Sequence, residues 1–124
     1  MNELLYTFRA HCTYVVDGDT ADFVLDKGMR EYSEQRVRLI GVDAPEMHAK
    51  DDAERARAQE SKAYLLSVLK PSPFVIGVAG WQFIVKTSKG DSFGRYLADV
   101  WGTDGVSVNA ELVRLGLARV RLKK

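Results

Sequence analysis

Val37-Arg38-Leu39-Ile40-Gly41-Val42-Asp43-Ala44-Pro45-Glu46 is an apolar run interrupted by glycine and proline, with three charged residues inside its last nine positions. Its first part, Arg36 to Val42, reads as a strand whose end hands the chain to a loop. Strand ends followed by loops are where proteins tend to place chemistry. In a regular strand Arg38 and Asp43 face opposite ways, because positions an odd number apart lie on opposite faces. If both serve one site, the strand must bend or end between them, and Gly41 and Pro45 are the residues that allow it.

Upstream, Leu4 to Val15 alternates, with Tyr6, Phe8, Ala10, Cys12 and Tyr14 on one parity and Arg9, His11 and Thr13 on the other. That is a half-buried strand. Asp17-Gly18 marks a tight turn. Thr20 to Lys27 alternates again, presenting Ala21, Phe23 and Leu25 on one face, until Lys27-Gly28 breaks it. Met29 to Gln35 is polar and reads as a loop or a ragged strand start. Three strands joined by short turns describe a meander.

Downstream, Asp51 is placed to cap a helix, with Glu54 as its capping-box partner. Ala58, Ser61, Leu65, Val68 and Leu69 form a stripe at helical spacing. Pro71 and Pro73 end it. Phe74 to Ala79 and Trp81 to Lys86 are β-like, and Tyr96 to Trp101 is a further strand. Ser107 caps a short helix carrying Val108, Leu112 and Leu115 on one face, with Gly116 at its C-terminal end. Leu117 to Leu122 is a last extended piece. This order fits a β-barrel with accompanying helices, an OB-fold: five strands, a helix after strand 3 and a short C-terminal helix. A ubiquitin-like or other small α+β roll fits the order as well.

The chain has 124 residues, the size of one domain, and 1–124 is read as a single unit. Its 46% hydrophobic and 28% charged residues supply a core that needs no staples. The formal net charge of +1 provides no global field for a polyanion, so nucleic-acid binding would have to rest on local clustering. Arg114, Arg119, Arg121, Lys123 and Lys124 supply such a cluster, or a solvated tail. Cys12 is the one cysteine, which excludes an intrachain disulfide. No apolar run is long enough to span a membrane as a helix. The start has no cationic head followed by an apolar core, so the expectation is a cytoplasmic protein unless a leader was removed.

Two carboxylates from separate segments, Asp19 in Asp17-Gly18-Asp19-Thr20 and Asp43, can hold a hard divalent cation through oxygen. Arg38 offers a planar fork that fits a phosphate. Glu46 is placed to orient or deprotonate a water. Together they point to attack of water on a phosphodiester. Each also has a plainer reading: a hairpin turn, a solvated strand arginine, and a turn leading into a helix. His11 and His48 lack the spacing of a metal pair.

Four segments, in order, resemble the staphylococcal nuclease-like (thermonuclease) family: Val15 to Thr20, Val37 to Glu46, Asp91-Ser92-Phe93-Gly94-Arg95, and Val108 to Ala118. The resemblance implies an OB-fold barrel and a calcium-dependent nuclease that cuts DNA and/or RNA to 3′-phosphorylated products. It implies Asp19 and Asp43 as calcium ligands, with Ala44 contributing a backbone carbonyl. It implies Glu46 as the residue that positions or deprotonates the attacking water. Arg38 and Arg95 match the two arginines that grip the scissile phosphate. The substrate expected is single-stranded or loosely paired DNA or RNA, handled by a monomer. The rival reading is a non-catalytic OB module that binds nucleic acid or a protein.

The chain also departs from the family. Arg121-Leu122-Lys123-Lys124 stands where tyrosines often pack on the base, the longer C-terminal helix is missing, and Phe93 replaces a tyrosine whose hydroxyl can reach phosphate. Pro71 to Gly90 is a few residues longer than usual. These changes bear on base preference and affinity and leave the acids and arginines in place.

Overall fold

The structure is a computed structural model that describes residues 6–77, 80–88, 90 and 95–121. Phe93, most of the segment around it, Ala79 and Leu122 to Lys124 lie outside the described residues.

Strand β1 (Thr7–Asp17) pairs antiparallel with β2 (Thr20–Asp26), and β2 with β3 (Tyr32–Leu39). These three strands form the expected meander, and the third begins at Tyr32, so the polar stretch before Arg36 is a strand start. A two-residue strand, β4 (Val42–Asp43), follows, then helix α1 (Asp52–Leu69). Next come β5 (Phe83–Ser88), β6 (Tyr96–Gly102), the short helix α2 (Val108–Arg114) and β7 (Arg119–Val120). The sheet closes in the order β1-β2-β3-β6-β5, with β3 and β6 parallel, while β4 and β7 form a separate pair. The fold is therefore a closed five-stranded barrel with two helices, as an OB-fold has.

Alternation makes the barrel. Ala10, Cys12, Ala21, Phe23, Leu25, Val37, Leu39, Val85, Ala98 and Val100 turn inward and are buried. The parity of β1 does not run through to Tyr14, however. A register shift between Cys12 and Tyr14 places Val15 in the core and leaves Tyr14 exposed. One extra residue in a strand reverses the face of everything after it. A second shift, between Val15 and Asp17, brings Asp17 opposite Thr20 at the turn.

Helix α1 starts where Asp51 accepts from the backbone N of Ala53. That is an N2 bond rather than the N3 bond of a capping box. Ala58, Ser61, Leu65 and Leu69 are buried and Val68 packs on the core, so the stripe docks the helix, chiefly against β1. The helix stops at Lys70, whose φ of 46° lies in the left-handed region. Phe74 to Gly77 does not form the expected strand. Pro71 and Pro73 have no N–H to give a ladder, and the Phe74 ring instead packs 5.3 Å from both Tyr32 and Trp81. In α2, Val108 and Leu112 are buried but Leu115 is exposed. Leu115 is the C-cap, and the chain reverses at Gly116 (φ 74°), so Leu117 packs on the core in its place.

Asn109 ties the ends together. Its side chain accepts from Val100 N at 3.1 Å and donates to the carbonyls of Ile40 at 2.9 Å and Ala98 at 3.0 Å. No helix among the described residues is long and apolar enough to cross a membrane.

Candidate functional site

Strand β3 ends at Leu39, whose N–H donates to the Asp19 carbonyl at 2.8 Å. Gly41 then turns the chain with a φ of 80°, a conformation that costs a glycine little. The strand thus ends between Arg38 and Asp43, and the opposite parities of the two residues no longer keep them apart. Nη2 of Arg38 lies 3.3 Å from Asp19 Oδ2 and 3.1 Å from Asp43 Oδ1.

Asp19 is held from three further sides. Its Oδ2 accepts from the N–H of Ala44 at 3.0 Å, its Oδ1 from the Thr20 hydroxyl at 3.0 Å, and its own N–H donates to Asp17 Oδ1 at 3.1 Å. Burial, followed by the neighbouring Asp17 side chain, raises the pKa of Asp19, while the Ala44 N–H and Arg38 oppose the rise. Nη1 of Arg95 donates to the Thr20 hydroxyl at 3.2 Å. One continuous network therefore joins Arg95, Thr20, Asp19, Arg38 and Asp43, with Ala44 attached through its backbone.

Gly18 makes this approach possible through space, since its φ is not in the left-handed region. A Cβ there would lie 2.6 Å from Ser61 Cβ and 2.9 Å from Ala44 Cβ. The turn therefore packs directly against α1 and the loop after β4.

Glu46 follows on that loop. Its side chain is exposed and has no hydrogen-bond partner among the described residues. It lines a cleft of about 310 Å³ together with Asp43, Ala44, Pro45, Glu54, Arg57 and Gly116 to Arg119. An unpaired carboxylate at the mouth of a cleft is a base with room for a water beside it.

Asp19 and Asp43 offer oxygen donors of the kind calcium prefers. A buried carboxylate that resists ionisation gains from a divalent cation beside it. Among the described residues no three His, Cys, Asp or Glu side chains form a metal-binding group. A cation held here would draw its remaining ligands from backbone carbonyls, such as that of Ala44, and from water.

All six residues singled out in the sequence thus border one region. The site also includes Asp17 and Thr20, which were visible only as companions of Asp19 in the Asp-Gly-Asp-Thr segment. Arg119 was visible only as one of the C-terminal basic cluster, and Arg57 was not recognisable as a site residue. Only the packing of α1 and β7 brings them to the cleft.

Comparison with known proteins places the chain in a family. The sequence profile of the staphylococcal nuclease homologue family matches residues 36–124. That span includes Arg38, Asp43, Ala44, Glu46 and Arg95 and begins after Asp19. An uncharacterized endonuclease of Escherichia coli O157:H7 is 33% identical over 106 residues, covering 86% of this chain and 56% of the relative. The endonuclease YhcR of Bacillus subtilis (strain 168) is 33% identical over 109 residues, covering 84% of this chain and 8% of the relative. The chain thus spans about half the length of the Escherichia coli relative and a small part of the Bacillus one. The chain belongs to the staphylococcal nuclease homologue family.

Proposed function

We propose that the chain is a calcium-dependent nuclease that hydrolyses phosphodiester bonds of DNA and/or RNA and leaves 3′-phosphate ends. Its substrate on this reading is a single-stranded or loosely paired strand. The observation that carries the proposal is the convergence of Arg38, Asp19 and Asp43 through one guanidinium nitrogen, beside a cleft into which unpaired Glu46 opens. The family and the endonuclease names of the relatives support it.

The mechanism follows from the placement of the side chains. Glu46 takes a proton from a water in the cleft as that water attacks phosphorus. The P–O5′ bond breaks, the phosphate stays on the 3′ side, and the departing 5′-oxygen is protonated from solvent. Charge builds on the equatorial oxygens during attack. The guanidinium groups of Arg38 and Arg95 are the donors available to meet it, and preorganised donors of this kind are worth several kcal/mol of barrier. Asp19, Asp43 and the Ala44 carbonyl would hold the calcium ion, whose contribution is to polarise the phosphate and stabilise its developing charge.

The test is analysis of product ends after incubation of single-stranded DNA and RNA with calcium. Fragments carrying 3′-phosphate and 5′-hydroxyl termini are expected. Fragments with 5′-phosphate ends would reverse the assigned bond cleavage. Binding without any cutting would favour a non-catalytic OB module.

A further inference from the structure

Six arginines of the barrel and its helices differ in one respect. Arg9, Arg36, Arg55 and Arg114 are each tied to a carboxylate, those of Asp26, Asp22, Asp52 and Glu111 respectively. Arg57 and Arg119 are not: among the described residues neither guanidinium has an ion-pair or hydrogen-bond partner. Yet both line the cleft that holds Asp43 and Glu46. Arg119 stands directly across from Asp43 in the β4–β7 register, where side chains of opposed residues share a face. Arg57 lies one turn beyond Glu54 on α1, on the same wall of the cleft.

Helix α1 and the segment that leads into β7 are fastened to each other. The Ser61 hydroxyl, buried on α1, donates to the carbonyl of Leu117 and lies 3.1 Å from that of Arg57. The backbone positions that carry the two arginines are therefore held relative to each other by the fold. Asp43, Glu46 and Glu54 also line this cleft, so an anion entering it needs cations along its path. At about 310 Å³ the cleft is at the small end of ligand pockets, suited to one segment of a strand rather than a duplex.

We infer that Arg57 and Arg119 form a second phosphate clamp, which holds the phosphodiester next to the one being cut. This rests on the nuclease reading of the same site and adds a substrate requirement: a strand with a phosphate beside the scissile one. The clamp provides positive charge where the chain has no aromatic residues at 121–124 to hold a base. It acts on strand binding, and the chemistry stays with Arg38, Glu46 and Arg95.

The test measures the salt dependence of binding of a labelled oligothymidylate at fixed calcium, in a Glu46→Gln background so that the strand stays whole. Each phosphate contact on a single strand contributes about 0.7 to the steepness of log K against log salt, which is lost when the contact is removed. Arg57→Gln and Arg119→Gln should each show that loss, and the double variant roughly twice it. Arg57→Lys and Arg119→Lys should keep the parent slope. A dinucleoside monophosphate, which has only the scissile phosphate, should bind the Gln variants and the parent alike. Cleavage is assayed in parallel with the parent protein, which keeps Glu46. If the parent cuts the strand but the Gln variants keep its slope, the clamp is wrong and the nuclease reading stands. If the parent neither binds nor cuts, both fall.

Discussion

The guanidinium of Arg38 reaches the carboxylate of Asp43 at 3.1 Å around the turn at Gly41, although the two residues lie on opposite parities of one strand direction. The same nitrogen also holds Asp19, so a single buried cation balances two acids. Two outcomes follow for substitution. Arg38→Ala leaves Asp19 buried without its counter-charge and should cost about 3 kcal/mol or somewhat less, since Asp43 is half exposed. Arg38→Lys should fold close to normally, because an ammonium can sit between the carboxylates, but should lose most cleavage activity, because a point charge cannot replace the fork. Chemical denaturation and single-turnover rates check the pair. A lysine variant with parent turnover would remove the arginine from the phosphate clamp.

Calcium should stabilise the protein by mass action, by about 2.7 kcal/mol at a concentration one hundred times its dissociation constant. Asp43→Asn should abolish the shift in melting temperature. A parent protein whose melting temperature ignores calcium would contradict the assignment of Asp19 and Asp43.

That stabilisation should depend on pH through Asp19. Its pKa is raised above the ordinary 3.8 by burial. A raised carboxylate pKa means the folded, cation-free protein holds this proton more tightly than the unfolded chain does. The burial penalty is therefore absent below 3.8 and complete above the raised value. Calcium needs the ionised form, so the calcium-induced shift should fade on acidification before an ordinary aspartate would protonate. Melting curves with and without calcium across the acid range measure this. A shift that persists unchanged down to the ordinary carboxylate range would contradict it.

Gly18→Ala should destabilise by about 1–3 kcal/mol, the usual cost of overpacking. The added methyl meets Ser61 Cβ at 2.6 Å and Ala44 Cβ at 2.9 Å, and both are attached to backbone that cannot swing away. Calcium affinity should weaken with it, since Asp19 is the next residue. Urea unfolding and calcium titration test the two effects. A variant as stable as the parent would show that the turn and α1 are not in contact.

Asn109→Ala removes three hydrogen bonds, two buried and one part-buried, that join β6, the end of β3 and α2. The Ala98 carbonyl keeps the Ile40 N–H at 2.9 Å, so the cost, chiefly from the Val100 N–H left without its acceptor, should be about 2 kcal/mol. A change under about 0.5 kcal/mol, within the range of ordinary surface substitutions, would contradict that role.

Much of this was legible in the chain because alternation and capping are local. The inward face of β2, the stripe of α1 and the caps at Asp51 and Ser107 follow from neighbours a few residues away. What escaped depends on distant contacts. The bulge that turns Tyr14 out is set by pairing with β2, and Phe74 leaves the sheet for an aromatic cluster on Tyr32 and Trp81. At the site, Gly41 announced the bend that joins Arg38 to Asp43. Gly18 looked like a turn glycine, but its place is fixed by Ser61 and Ala44. Arg57 had no local mark and Arg119 only that of a basic cluster, because their cleft exists only once α1 and β7 have docked.

The most direct measurement is cleavage of single-stranded DNA, with RNA in parallel, by the purified protein in calcium, beside EDTA and a Glu46→Ala variant. Cleavage that needs calcium and disappears in both controls is the predicted result. Cleavage that survives in EDTA, or a Glu46→Ala protein as active as the parent, would contradict the mechanism, and no cleavage of either strand would contradict the function.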